Sequence, residues 1–304
     1  MGIMRAGVVG QFAVVAAAWG SSFLFIKVGL GGLTPGQVVW ARLVFGSLAL
    51  AAIMLVTRRA IPREPRVWGH LTVVALLLCV FPFLLFAWAE TRISSGLASI
   101  FNATTPLLTM AIGAVALASE RLTRDRALGL VLGFVGVVVI IGPWAGIDFG
   151  HELLAQLACL GATFCYGCSF VYLRRFVAPL GIPAVSVAFV QVTIAAVIML
   201  AATPWLTATP PRLDLPIVLS MLALGAIGTG LAYLLNMNVV RAWGAANASA
   251  VTYLSPVVGV ALGVTVLGEP LTWNQPVGAV LVILGIVASH GKLRTKRREP
   301  ISVR

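Results

Sequence analysis

The sequence predicts an all-α polytopic membrane protein whose ten transmembrane helices form two inverted five-helix repeats around a central cavity. Three observations lead to this fold class. The 304 residues are 60% hydrophobic and only 10% charged, with a mean hydropathy of +1.03, whereas soluble domains are about a quarter charged. The apolar residues are grouped in runs long enough to cross a bilayer. One stretch of the chain also occurs twice.

The apolar runs are separated by short turns rich in glycine, proline and charged residues. Because a membrane-crossing helix needs about 20 apolar residues, the runs predict ten spans. The segments between them are too short to form an additional soluble domain. The predicted spans are 7–30, 36–56, 68–89, 94–118, 127–143, 152–173, 183–203, 216–240, 246–267 and 275–290.

Residues 94–122 and 244–271 follow the same pattern of small residues, a proline and a terminal glutamate. Repetition at half the chain length predicts a duplicated unit. We therefore expect a first repeat at 1–145, a second at 146–291 and a basic tail at 292–304. The aligned pairs are Pro106 and Pro256, Glu120 and Glu269, Gly129 and Gly278, and Gly136 and Gly285.

The distribution of lysine and arginine predicts the orientation of the chain. Most of the 21 basic residues fall on the side of the membrane that holds the N-terminus, so both termini are expected in the cytoplasm. The net charge of +12 thus serves topology and does not indicate nucleic acid. Since each repeat has five spans, an odd number, the second repeat enters the membrane inverted, as in secondary transporters that bind substrate near the midplane. The acids expected to face the outer solution are Glu90, Asp148, Glu152, Asp214 and Glu269.

Polar and aromatic side chains within the spans are the candidate functional residues. Lipid cannot satisfy their polar groups, so they face either neighbouring helices or a water-filled cavity. Asn102, Pro106 and the pair Ser255-Pro256 form the strongest group, because each proline frees carbonyls on the preceding turn for a substrate. The candidate substrate-binding residues are Trp19, Ser22, Phe83, Phe86, Asn102, Pro106, Tyr166, Tyr233, Asn236, Tyr253 and Ser255.

Lys27 and Arg42 are the only cations within the predicted spans. Each lies within about 10 Å of the outer end of its helix. They either extend to the outer interface or form a positive outer mouth that receives a carboxylate. A proton relay usually needs a carboxylate or histidine at depth, and none lies mid-span. The sequence therefore predicts facilitated transport without obligatory proton coupling.

The repeated pattern of Pro106, Glu120 and the following glycines resembles the paired EamA modules of the drug/metabolite transporter superfamily. Trp19-Gly20-Ser21-Ser22-Phe23, followed by Arg42, is similar to the opening helices of that family. The resemblance covers nearly the whole chain. It implies ten helices in inverted halves, packing of the fifth helix against the tenth, and export as the usual activity.

The many aromatic residues also make the chain resemble the YddG-type branch, which exports aromatic and other amino acids. That resemblance implies an adaptable apolar lining, which selects substrates by size and ring stacking. The implied lining residues are Trp19, Phe83, Phe86, Tyr166, Tyr233 and Tyr253.

The leading interpretation is a secondary transporter of the bacterial inner membrane that exports amino acids, aromatic or hydrophobic ones above all, or similar small metabolites by alternating access. Alternatives with the same fold are a multidrug exporter and a nucleotide-sugar or metabolite exchanger. An exchanger of anions calls for cations deeper than Lys27 and Arg42. A channel-like protein and an intramembrane enzyme are alternatives of another class. We expect a monomer in the lipid bilayer with a small-molecule substrate, without cofactor, metal ion or nucleic acid.

Overall fold

The computed structural model describes residues 2–117, 123–145, 152–206, 209–244, 248 and 251–289. Ten long helices account for most of the described residues, and the predicted all-α membrane fold is confirmed. Glu120 and the basic tail at 292–304 lie outside the described residues. The helices are α1 (Gly2–Gly29), α2 (Pro35–Thr57), α3 (Pro65–Ala89), α4 (Ser95–Ala116), α5 (Arg124–Ile141), α6 (Glu152–Leu180), α7 (Ala184–Ala201), α8 (Leu215–Trp243), α9 (Val251–Leu267) and α10 (Asn274–Ser289).

Seven of these helices are long and apolar enough to cross a membrane by themselves: α1 to α4 and α6 to α8. Helix α5 begins with the charged residues Arg124, Asp125 and Arg126 and is apolar from Ala127 onward. Helices α9 and α10 are apolar but shorter, with 17 and 16 residues. The chain is a multi-pass membrane protein.

Local sequence signals set the ends of the helices. Thr34 caps α2, because its hydroxyl accepts a hydrogen bond from the Gln37 amide while the Gln37 side chain accepts one from the Thr34 amide. Pro35 occupies the first helical turn, where an amide hydrogen is not needed. Helix α5 ends at Gly142, whose φ of 63° is a left-handed conformation that glycine adopts without strain.

The two halves pack through equivalent contacts. Helix α1 packs against α8 and α9 of the other half, and correspondingly α6 packs against α3 and α4. Helix α2 contacts α8 in the same way that α7 contacts α3. The pairs α2–α7 and α5–α10 each join one helix to the equivalent helix of the other half. With five helices in each half, this arrangement is that of two inverted repeats.

Helices α5 and α10 pack against each other, as the family resemblance implied, and glycines line the contact. A Cβ atom added at Gly129 would lie 2.4 Å from the carbonyl oxygen of Gly285, and one added at Gly136 would lie 2.8 Å from that of Gly278. Side chains larger than hydrogen would therefore separate the two backbones. The four glycines explain why this contact between the halves is so close.

Several helices are irregular where they surround the interior. Single π-helical segments interrupt α3 at Leu76–Val80, α6 at Leu173–Val177 and α8 at Ala223–Leu231. Such segments often occur at functional sites because they leave backbone groups and side chains out of the regular helical register. In α3 and α8, which are equivalent helices, the irregularity repeats across the two halves.

Candidate functional site

A cavity of about 870 Å³, the main cavity, lies between the two halves. It extends to the end of the bundle where Arg174, Ala178 and Arg241 form part of its wall; we call this the Arg241 end. Toward the opposite end, named the Lys27 end, the lining stops at Ile26 and Phe86. A side cavity of about 820 Å³ adjoins it. The volume suits a small organic ligand.

All eleven predicted substrate-binding residues line the main cavity, the side cavity or both. Two of them, Trp19 and Asn236, line both cavities. Pro106 and Tyr253 line the side cavity. The predicted residues on the main cavity are Trp19, Ser22, Phe83, Phe86, Asn102, Tyr166, Tyr233, Asn236 and Ser255.

Aromatic rings form the floor of the main cavity toward the Lys27 end. The rings of Phe23 and Phe86 meet edge to face with centroids 5.5 Å apart. The ring of Tyr166 follows at 6.1 Å from Phe86. Edge-to-face and tilted contacts of this kind add to the stabilisation from burial alone. The floor is thus an apolar surface contributed by α1, α3 and α6.

Arg42 lies on the wall of the main cavity and not at an outer mouth. The carbon of its guanidinium group is 3.7 Å from the centre of the Phe83 ring. Its Nε donates a hydrogen bond of 3.2 Å to Thr229 Oγ1, a residue of the π-helical segment in α8. Neither of these two contacts carries a negative charge.

Gln191 of α7 is a lining residue that was not among the predicted site residues. Its side chain is only 2% exposed, and its Oε1 has no hydrogen-bond partner among the described residues. Its side chain also interacts with the hydroxyl of Tyr233. The sequence signal for Gln191 is a polar side chain within an apolar span. Such a residue needs a hydrogen-bonding partner, because a buried amide oxygen without one is unfavourable.

The two prolines of the repeat act differently. In α4 the helix is broken between Asn102 and Thr105, immediately before Pro106, and the Asn102 carbonyl accepts a hydrogen bond from Thr105 Oγ1 at 2.8 Å. In α9 the helix continues through Pro256. The break places the half-buried Asn102 side chain on the main cavity. The halves therefore contribute unequally to the wall.

Lys27 does not line either cavity. Its Nζ donates to the carbonyl oxygens of Glu90 and Ile93, at 2.6 and 2.8 Å, and thereby ties α1 to the turn between α3 and α4. The expectation that Glu90 faces the outer solution is wrong, because its side chain is 0% exposed. Position at the end of a span indicated exposure, but packing of other segments over the turn buries the residue.

Hydrogen bonds between the halves join helix ends and turns at the Lys27 end. The carboxylate of Glu269 accepts from the Ser95 amide and hydroxyl, each at 2.8 Å, and from the Gly96 amide at 3.1 Å. The Arg212 amide donates to the Gly32 carbonyl at 2.9 Å. Each link must break, or move with its helices, if this end is to open.

The fold and the cavity define a membrane transporter built from inverted repeats. The profile of the EamA-like transporter family matches residues 8–142 and 153–289, so the chain belongs to that family. A probable amino-acid metabolite efflux pump of Salmonella typhimurium is 28% identical over 95% of this chain and 96% of its own length. A protein with the same description from Escherichia coli K12 is 26% identical over 93% and 95%.

Other similar proteins agree with this class. The uncharacterized transporter YdfC of Bacillus subtilis is 25% identical over 92% of this chain and 90% of its own length. A solved crystal structure with 18% identity covers 93% of this chain and 96% of its own, with a TM-score of 0.67, which supports the fold alone. Family and relatives are transporters and not enzymes.

Proposed function

We propose that this protein exports amino acids, with preference for aromatic and hydrophobic ones, across the bacterial inner membrane by alternating access. The observation that carries the proposal is Arg42, a cation on the wall of an aromatic cavity whose observed contacts are a ring and a hydroxyl. In this cavity the carboxylate of an amphipathic amino acid can meet Arg42, and its apolar side chain can meet the aromatic rings.

The guanidinium of Arg42 suits the carboxylate of such a substrate. A charge removed from water is unfavourable without a partner of opposite charge, and the planar guanidinium group can donate two parallel hydrogen bonds to a carboxylate. Stacking on Phe83 and the bond to Thr229 hold the group in one orientation. The binding site is therefore arranged before the substrate arrives, which lowers the entropic cost of binding.

The side chain of the substrate would lie against the aromatic floor. Phe86 and Tyr166 offer ring faces, and Gln191 offers a buried amide oxygen that can accept a hydrogen bond from the substrate ammonium group. Apolar walls distinguish substrates weakly by a single methylene. We therefore expect a group of related amino acids to be transported.

Three further points support export. The relatives described as amino-acid metabolite efflux pumps cover nearly the whole chain. A relative described as an uncharacterized inner membrane transporter, YedA of Escherichia coli K12, is 23% identical over 88% of this chain and 86% of its own length, which supports a location in the inner membrane. The arginine distribution favours a cytoplasmic location of the Arg241 end and of both termini, so that the main cavity would receive substrate from inside the cell.

Exchange of the two halves' conformations would give a second state open at the Lys27 end. We propose that a monomer alternates between these states and that the substrate moves down its own gradient without obligatory proton movement. A nucleotide-sugar exchanger fits less well, because Arg42 is the one cation that lines the middle of the described cavity, whereas Arg174 and Arg241 lie at its end.

The test is counterflow of a panel of radiolabelled amino acids in proteoliposomes. Arg42→Gln should reduce transport of an aromatic amino acid about tenfold to a hundredfold, because a hydrogen bond to a charged group contributes about 1.5–3 kcal/mol. Arg42→Lys should restore part of the loss, since lysine keeps the charge but lacks the planar fork.

Arg92→Gln is the matched control. Arg92 also lies over an aromatic ring, with 4.0 Å from its guanidinium carbon to the centre of Trp88, but it is exposed and outside both cavities. This variant should transport at the parental rate. The proposal fails if no amino acid in the panel shows counterflow, or if Arg42→Gln transports as well as Arg92→Gln.

A further inference from the structure

Glu90 is a buried carboxyl group that the proposed transport cycle does not use. Its side chain is 0% exposed, and neither Oε1 nor Oε2 has a hydrogen-bond partner among the described residues. Glu90 directly follows the span Pro65–Ala89 and caps its end at the Lys27 end of the bundle. An ionised carboxylate in such a place would be strongly unfavourable.

Charged and titratable groups approach Glu90 from each neighbouring segment. Lys27 of α1 is the nearest cation, but its ammonium group is bonded to the backbone carbonyls of Glu90 and Ile93 and not to the carboxyl oxygens. Glu269, from the turn before α10, places a negative charge near the Glu90 carboxyl, and Arg42 of α2 places a positive charge farther from it. The thiol of Cys159 in α6 also interacts electrostatically with Glu90.

The carboxyl group is separated from the substrate cavity. Phe86 lies one helical turn before Glu90 and forms the cavity floor with Phe23. Neither cavity is lined by Glu90. In the described conformation the group is therefore closed to solvent, and only a conformation open at the Lys27 end would bring water to it.

Burial raises the pKa of the Glu90 carboxyl well above its ordinary value, and the positive charge of Lys27 opposes this shift only in part. In the observed conformation burial therefore favours the neutral acid more than it would for the same group in water. If the Lys27 end opens, water reaches the carboxyl group and the ordinary pKa of about 4.3 is restored or lowered by Lys27.

We propose that Glu90 is a proton-binding site that holds a proton while the Lys27 end is closed and releases it to the outer solution when that end opens. The inference rests on the alternating access proposed above. Because the proton enters and leaves on the same side, it controls the conformation without being carried across the membrane. External acidity would keep the transporter closed to the outside.

The direction of the effect follows from linkage. The closed state binds the proton more tightly than the open state, so closure is favoured fully at a pH below the open-state pKa. That preference is lost as the pH rises toward the higher pKa of the closed state. Between these limits, the ratio of open to closed protein rises by up to about tenfold per pH unit.

Cysteine labelling tests this without knowledge of the substrate. In a chain whose four native cysteines are replaced by alanine, Ile93→Cys places a thiol at a buried position of the Lys27 end, and Thr91→Cys places one at an exposed position two residues away. Both rates of modification by a maleimide are measured, and the rate for Ile93→Cys is divided by the rate for Thr91→Cys. This division corrects for the intrinsic pH dependence of thiol reactivity. The resulting labelling ratio should rise between pH 5 and 8.

Glu90→Gln should make this ratio independent of pH, while Glu152→Gln, which alters an exposed carboxylate at the same end, should leave the rise unchanged. Glu90→Met is a second neutral variant in case the glutamine variant does not fold. A flat ratio in the parent chain, or an equal rise in the Glu90 variants, overturns the inference. Amino acid counterflow is measured separately. Failure of the proposed substrate class can therefore be told apart from failure of the proposed proton site.

Discussion

Replacement of Gly285 by alanine tests the close backbone contact between α5 and α10. A Cβ atom at this position would lie 2.6 Å from the carbonyl oxygen of Gly129 and 2.7 Å from the amide nitrogen of Gly133. Both are backbone atoms, which cannot rotate away. To restore an ordinary contact, α5 and α10 would have to separate by about 0.8 Å or more. Overpacking of this kind costs about 1–3 kcal/mol.

Gly69→Ala provides the control, because Gly69 is also within a helix but a Cβ atom there would meet nothing within 4 Å. Alanine raises helix propensity at both positions by about the same amount, up to about 1 kcal/mol. The difference in the free energy of unfolding between the two variants therefore isolates the clash. It corresponds to a difference in Tm of about 2–10 °C.

The assay is thermal unfolding of the purified variants in the same detergent, followed by the loss of monodisperse protein. Gly285→Ala should melt below the parent chain, and Gly69→Ala at or above it. Equal Tm values for the two variants would refute the reasoning, since they would show that α5 and α10 are not in backbone contact.

Three further outcomes are expected. Gln191→Leu should lower amino acid counterflow, because it removes the buried amide oxygen proposed to accept a hydrogen bond from the substrate ammonium group; unchanged counterflow would contradict this role. Glu269→Gln should weaken three hydrogen bonds to the start of α4 and increase maleimide labelling of Ile93→Cys severalfold, whereas unchanged labelling would show that this link does not close the Lys27 end. Thr105→Val should leave the Asn102 carbonyl without its 2.8 Å donor and lower Tm by an amount that corresponds to about 1 kcal/mol; an unchanged Tm would count against this role.

The sequence was sufficient to predict the features that depend on composition and spacing. The length of apolar runs predicted the helices, and the family resemblance implied the α5–α10 contact, in which Gly129, Gly136, Gly278 and Gly285 allow the two backbones to approach closely. The aromatic and amide residues within spans also predicted the side chains that line the two cavities.

What could not be predicted depends on the packing of distant segments. Glu90 was expected to be exposed because it ends a span, yet its side chain is 0% exposed, and Lys27 of α1 bonds to the backbone carbonyls of Glu90 and Ile93. Arg42 appeared close to an outer interface when distance was counted along α2 alone. Its actual surroundings depend on Phe83 of α3 and on Thr229, which belongs to a π-helical segment without a clear sequence signal.

The central claim is that the two halves enclose one cavity that opens at the two ends in turn. Double electron–electron resonance tests it most directly, with one spin-label pair at Thr91 and Pro270 for the Lys27 end and another at Arg124 and Arg174 for the Arg241 end. On addition of a transported amino acid, the account predicts that the distance at one end lengthens as the other shortens. Distances that stay constant at both ends, or change in the same direction, would contradict it.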